Sequence, residues 1–231
     1  MTTTFITGAN KSLGYETARR LIEAGHTVLV GARDPERGQA AADKLGARFV
    51  QIDVTDDASV AAAAADVRAH EGSIDVLINN AGVSGPHLAT EEITAADVAA
   101  VLDVNVVGIV RVTHEFLPLL KESANPVIVN VSSGMGSFGA THDPDRVESS
   151  FPAPLYTSSK AAVNMLTTQY AKTLPGMRVN AADPGYTATD FNGHSGPQTV
   201  TEGTDAIVEL ASIGKDGPTG TFRDRNGVAA W

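Results

Sequence analysis

Apolar, β-branched runs alternate with amphipathic stretches along almost the whole chain, and that alternation restricts the folds open to it. TTTFIT, HTVLVG, RFVQID, DVLINN, PVIVNVSS and RVNAADP read as strands, and TGTFR as a last short one. Helical periodicity fills Tyr15–Ala24, Pro35–Leu45, Ala58–His70, Ala95–Leu120, Tyr156–Thr173 and Val200–Ser212. Strands that are apolar throughout, each followed by a helix, predict an α/β architecture: a doubly wound parallel sheet with helices on both faces. In such sheets ligands bind beyond the carboxyl ends of the strands. A chain of 231 residues suits a single domain over 1–231.

Charge narrows the partners. A formal net charge of −10 repels nucleic acid and anionic membranes, so neither is expected as a partner. The first 50 residues nevertheless hold seven Lys/Arg against five Asp/Glu, so a small anion is better received there than elsewhere. There is no cysteine to build a disulfide or thiolate site, and no signal-like start or membrane-length apolar run. A cytoplasmic location fits. The six histidines show no close metal-ligand spacing, and no G-x-S-x-G elbow is present, so neither a metal site nor an acylating serine is expected.

Between the first strand and first helix lies TGANKSLG, Thr7 to Gly14. A turn there aims backbone N–H groups and the positive helix end at an anion. Its spacing is neither that of a P-loop nor the tight G-x-G-x-x-G. It resembles the wider T-G-x-x-x-G-x-G turn of the short-chain dehydrogenase/reductase family, with Ser12 in place of the middle glycine. The family's other motifs follow in order: Asn79-Asn80-Ala81-Gly82 as N-N-A-G, Asn105 in the next helix, Ser133 after the fifth strand, Tyr156-Thr-Ser-Ser-Lys160 as Y-x-x-x-K, and Pro184-Gly185. The resemblance covers nearly the whole chain and implies a Rossmann-like dinucleotide fold.

It also implies roles. Gly8, Asn10, Lys11, Ser12, Leu13 and Gly14, in the anion-binding turn, would bind the cofactor; Asp53 and Val54 would edge the adenine; Asn80, Ala81 and Gly82 would also bind the cofactor. Pro184, Gly185, Thr187 and Thr189 would hold the nicotinamide end. The second strand ends Val30-Gly31-Ala32-Arg33, with no acid to bind ribose hydroxyls and repel a 2′-phosphate. Arg33 can instead fork onto that phosphate, and Lys11 resembles a second basic partner in NADP-preferring members. Two such bonds, at roughly 1.5–3 kcal/mol each, favour NADP(H) over NAD(H) by about two powers of ten or more. The competing use of Arg33 is a surface pair with Asp34 or Glu36.

Chemistry follows from the same pattern. Lys160, four positions from Tyr156, shares its helix face. By resemblance Tyr156 is the general acid/base, Lys160 lowers its pKa and holds the ribose hydroxyls, Ser133 binds the substrate oxygen and Asn105 anchors a water next to Lys160. Ser132 is read as a hydrogen-bonding neighbour. The expected function is NADPH-dependent reduction of a ketone or aldehyde, with an NAD-dependent alcohol or steroid dehydrogenase as the alternative and a non-catalytic NADP(H) sensor as the rival from another class.

Two segments break the strand–helix rhythm: about 134–154 and about 186–198. Between Ser133 and Tyr156 the chain is longer by roughly ten residues than in many members, and loops of this length are often functional. FGATHDPDRVESSFPAPL is similar to the insertions of the family's carbonyl reductases, some of them monomeric. Phe138, His142, Phe151, Leu155 and Tyr186 are candidate pocket walls. The resemblance implies a homodimer or homotetramer, and the insertion is the feature set against it. Trp231 either caps the core or reaches a neighbouring subunit.

Overall fold

The computed structural model describes residues 1–231. Thr3–Thr7 forms the central strand β1, buried from Thr4 onward on both faces. Helix α1 (Ser12–Glu23) follows and buries Gly14, Thr17, Ala18 and Leu21, the i, i+3, i+4, i+7 spacing of a helix lying on a sheet. After β2 (Thr27–Ala32), α2 (Pro35–Leu45) is framed by sequence signals. Asp34 accepts a hydrogen bond from the Arg37 N–H at its start, Pro35 takes the first turn, and Gly46 closes it at φ +64°. Then come β3 (Arg48–Gln51), α3 (Asp57–His70) capped by Asp56, β4 (Val76–Asn79), α4 (Ala95–Leu102) and α5 (Gly108–Lys121). The second half adds β5 (Val127–Val131), the short α6 (Phe138–His142), α7 (Pro154–Thr173), β6 (Arg178–Ala182), α8 (Val200–Gly203), α9 (Asp205–Ala211), β7 (Phe222–Asp224) and β8 (Gly227–Val228).

The sheet order is β3-β2-β1-β4-β5-β6-β7-β8, parallel except for the terminal hairpin strand β8. Successive side chains of a strand point to opposite faces, so Phe5 and Ile6 belong to different cores. Ile6 joins Leu21, Val28, Val30, Ile78, Ile207 and Leu210 under α1, α2 and α9. Phe5 joins Leu29, Leu77, Ile128, Val60 and Leu119 under α3 and α5, its ring 4.4 Å from that of Phe116. No helix is long and apolar enough to cross a membrane.

The strand order reverses between β1 and β4, and there the chain leaves towards opposite faces, opening a crevice at the carboxyl ends. The expected elements are present, with five differences. Helix α1 begins at Ser12, three residues before the apolar periodicity does. The stretch 95–120 is two helices joined by a π-helical turn, Asp103–Val107, and 200–212 breaks at Thr204. The segment 134–154 is not merely a loop: it holds a 3-10 turn at Gly134–Gly136, helix α6 and a second 3-10 turn at Val147–Ser150. Strand β8 comes from a two-residue hairpin at Arg225-Asn226 that the polar sequence DRNG disguises. Trp231 caps the core, stacking on Phe222 with ring centroids 5.5 Å apart, while its carbonyl accepts the Gly139 N–H.

Ser12 stands at φ +48°, the left-handed region where a β-carbon is penalised. The position that reads as a missing glycine is therefore one whose backbone still asks for one. Ser12→Gly is expected to stabilise the protein by about 0.5–1 kcal/mol after the added flexibility of the unfolded chain is subtracted. A thermal midpoint raised by roughly 2 °C or more is the check, and an unchanged or lowered midpoint contradicts it.

Candidate active site

The crevice is a cleft of about 880 Å³. Its phosphate end is built from strict local geometry. Gly8 sits at φ +65°, and a side chain at Gly14 would collide with the Gly8 carbonyl, the Asn80 amide and the Ala9 backbone. Asn80 donates from Nδ2 to the carbonyls of Thr7 (2.9 Å) and Gly8 (3.1 Å), while the Thr7 hydroxyl oxygen accepts the N–H groups of Asn80 and Ala81, both at 3.0 Å. The T-G and N-N-A-G motifs are thus one hydrogen-bonded unit. No acidic residue occupies the first turn of α1 and no side chain caps it, so its N–H groups face the cleft unfilled, as an incoming pyrophosphate requires.

At the adenosine end Arg33 is exposed and forms no ion pair. Asp34 caps α2 and lies 3.7 Å from Arg37, so the surface pairing of Arg33 with Asp34 or Glu36 is not what the structure shows. Lys11, by contrast, reaches across the cleft to Asp190, 3.3 Å away, and Asp190 also pairs with His194 at 3.0 Å. Asp53 turns its carboxylate onto Thr55, accepting the N–H at 3.0 Å and the hydroxyl at 2.7 Å, and lines the cleft beside Val54.

At the other end, Tyr156 and Lys160 project from α7 as their spacing predicts, with the ammonium 5.6 Å from the tyrosine ring centroid. Lys160 is buried, 5% exposed, and donates to the Val131 carbonyl at 2.7 Å. Burial lowers its pKa to about 8, against the opposing pull of the Asp183 carboxylate. Tyr156 moves the other way: burial pushes its phenol above the ordinary tyrosine range, Asp183 adds to this, and a hydrogen bond with Ser133 works against it. Both serines line the cleft, but Ser132 is buried with its hydroxyl donated to Asn164 at 2.5 Å, whereas Ser133 is half-buried, its hydroxyl accepting the Met135 N–H at 3.2 Å. The turn carrying Ser133 can lie against α7 only because residue 136 is glycine; a β-carbon there would fall on the Lys160 backbone.

Asn105 alone among the predicted catalytic and cofactor-binding residues is not on the cleft wall. It lies behind Gly82, in the π-helical turn, exchanging two 2.8 Å bonds with the Val83 backbone and donating to Ser159 at 2.9 Å. The remaining predicted residues, from Gly8 to Thr189, all line the cleft. Of the five proposed substrate walls, Phe151, Leu155 and Tyr186 line it. Phe138 and His142 do not: Phe138 stacks on His142 and stands 73% exposed on α6, turned away from the cleft. Phe191, 5.4 Å from the Tyr156 ring, and Glu148 and Asp183 are walls that the sequence reading missed. The acid preceding Pro184-Gly185, at the end of a buried strand, was a usable signal for Asp183; nothing marked the other two.

The model of the short chain dehydrogenase family matches residues 2–199. (−)-Isopiperitenone reductase of Mentha piperita is 33% identical, over 97% of this chain and 96% of that protein. Two solved structures superpose closely. NADPH-bound carbonyl reductase from chicken fatty liver has a TM-score of 0.88 at 30% identity, over 99% of this chain and 98% of its own. Salutaridine reductase from Papaver somniferum has a TM-score of 0.85 at 28% identity, over 97% and 100%. This chain belongs to the short-chain dehydrogenase/reductase family. It is an oxidoreductase acting on ketone and alcohol groups, and nicotinamide cofactors are the family's redox partners.

Asn105→Ala would leave two part-buried Val83 backbone groups and the buried Ser159 hydroxyl without this partner. A loss of about 2–3 kcal/mol is expected, read as a lowered denaturant midpoint at unchanged m-value. A loss below about 0.5 kcal/mol would show that the π-helical turn holds the cleft without this side chain.

Proposed function

We propose that the protein is an NADPH-dependent reductase of uncharged, apolar ketones and aldehydes. The observation that carries this reading is the meeting of Ser133, Tyr156 and the buried Lys160 on one wall of the cleft, with Arg33 unpaired at its opposite end. When bound, a reduced nicotinamide supplies the hydride for the carbonyl carbon. The protein supplies the rest. The Ser133 hydroxyl fixes the carbonyl oxygen, and Tyr156, a phenol that is protonated at neutral pH at its ordinary pKa of about 10 and is shifted further upward by burial, gives that oxygen its proton. Lys160 holds positive charge beside the tyrosinate that results and so limits the cost of losing the proton. Asn105, clamped by Val83 and Ser159, keeps the wall behind Lys160 rigid.

Arg33 and Lys11 would take the 2′-phosphate, Lys11 exchanging its exposed pair with Asp190 for it. That exchange costs little, since exposed ion pairs contribute about 0–1 kcal/mol. The name of the NADPH-bound relative is consistent with this choice. The substrate end carries Val83, Leu88, Ile93, Val104, Met135, Phe151, Leu155 and Phe191, and no cationic side chain besides Lys160. Such walls suit an apolar ring, with His87, Ser84, Tyr186, Asn192 and Ser195 as polar groups among them.

Dissociation constants of NADPH and NADH, from nicotinamide fluorescence in one buffer, test the cofactor. NADPH is expected to bind at least about tenfold tighter, and Arg33→Ala to bring the ratio within about threefold. Equal affinities in the unaltered protein count against the reading. A panel of neutral cyclic ketones, followed by NADPH oxidation, tests the chemistry. Tyr156→Phe is expected to lose about 10²–10⁴ in turnover while NADPH still binds. Retained turnover, or none with any ketone, contradicts it.

A further inference from the structure

Of the two basic side chains offered to a 2′-phosphate, Arg33 is free and Lys11 is already engaged. Lys11 stands immediately before Ser12, the first residue of α1, and its Nζ lies 3.3 Å from Oδ2 of Asp190 in the second loop. The other carboxylate oxygen, Oδ1, is 3.0 Å from Nε2 of His194. The turn that presents this acid is closed without help from its side chain. The Thr189 carbonyl accepts the N–H groups of Asn192 at 3.2 Å and of His194 at 2.8 Å. Asn192 adds two bonds, its Oδ1 accepting the Thr189 N–H at 3.2 Å and its Nδ2 donating to the Thr187 carbonyl at 2.8 Å. Gly193 and His194 both stand in the left-handed region, at φ +63° and +60°, a conformation uncommon for a residue that carries a β-carbon. Asp190 is therefore an acid held on a built turn. Lys11 first, and His194 after it, keep its carboxyl below the ordinary aspartate range, so it is charged at neutral pH.

The second strand ends without the acid that would repel a 2′-phosphate, yet an acid reaches one of the two basic partners from across the cleft. We propose that Asp190 is a specificity-determining residue for the cofactor: it competes with the 2′-phosphate for Lys11 and lowers the preference for NADPH below what Arg33 and Lys11 alone would give. This rests on the reading of Lys11 as a phosphate partner. NADH has no 2′-phosphate and leaves the Lys11–Asp190 pair in place, whereas NADPH must part it. The two cofactors therefore differ in what they undo as well as in what they contact.

The test is Asp190→Asn, which keeps the shape of the side chain and removes its charge. Because the turn is closed by backbone groups and Asn192, the variant is expected to fold with a thermal midpoint within about 2 °C of the unaltered protein. If it is destabilised beyond that, Asp190→Ser is measured in its place and judged in the same way. Dissociation constants of NADPH and NADH are taken from nicotinamide fluorescence in one low-salt buffer for the unaltered protein, Asp190→Asn, Lys11→Met and the double variant. Asp190→Asn is expected to tighten NADPH about two- to fivefold, the range of an exposed ion pair, and to leave NADH within about 1.5-fold. With Lys11→Met already present, the same change is expected to move NADPH by less than about 1.5-fold, because the two charges act through one pair. NADPH binding that is unchanged or weakened in Asp190→Asn overturns the inference, the weakened case marking the acid as a strap that retains the cofactor. Equal tightening of both cofactors, or tightening that persists without Lys11, overturns it as well, since the acid then acts by general repulsion. Failure of the cofactor reading has a different signature: Arg33→Ala and Lys11→Met each leave the ratio of the two constants unchanged. If those variants lower the ratio while Asp190→Asn does not raise it, the inference alone falls.

Discussion

The Thr7 hydroxyl holds the site together. The strand order reverses between β1 and β4, so two chain segments leave neighbouring strands in opposite directions, and nothing in the sheet itself fixes their spacing. Thr7 Oγ1 accepts two N–H groups from the end of β4, and Asn80 returns two bonds to the end of β1. Four hydrogen bonds therefore set the width of the crevice at the point where phosphates must pass. Gly8 and Gly14 are consequences of that width, since any side chain at either would meet the backbone or the amide that closes it. The open N-terminus of α1 is then directed at the crevice because the turn preceding it has only one way to run.

At the far end the governing term is desolvation. Lys160 is buried where α7 meets the Gly134–Gly136 turn and Tyr156 is half-buried on the cleft wall, and burial pushes both titrating groups away from charge: Lys160 down, Tyr156 up. A buried ammonium needs compensation, and here it is an oriented carbonyl, Val131, and a carboxylate, Asp183. The same exclusion that makes the lysine costly to bury strengthens its effect on the tyrosine, because charges interact more strongly where water is absent.

Much of this arrangement was legible in the sequence. Periodicity marked the strands and most helices, and ordered motifs placed the cleft residues, because those motifs encode backbone geometry: glycine at Gly8 and Gly14, an i, i+4 pair at Tyr156 and Lys160. What stayed hidden depended on contacts between distant segments. The π-helical turn around Asn105 leaves the apolar pattern of 95–120 intact while rotating one side chain behind Gly82. Helix α6 is five residues long, too short for periodicity to show, and it carries Phe138 and His142 away from the cleft that their sequence position suggested. Glu148 and Phe191 reach the wall through loops whose path no local rule fixes.

The inserted segment gives this chain its individual character. Val147, Glu148 and Phe151 enter the cleft from it, and Phe151 meets Tyr186 of the second loop with ring centroids 5.8 Å apart. On the far side α6 is pinned by the C-terminus, through the Gly139 N–H on the Trp231 carbonyl and the stacking of Trp231 on Phe222. The last residues of the chain therefore stabilise a segment whose other end forms substrate wall. This end of the cleft is shaped by an aromatic contact between two loops, the insertion held through α6 and Trp231 and the second loop by the Thr187 hydroxyl on the Pro184 carbonyl. Changes in the sheet that preserve the crevice can leave that shape untouched, whereas changes in either loop alter it, and those at Phe191 reach the Tyr156 ring as well.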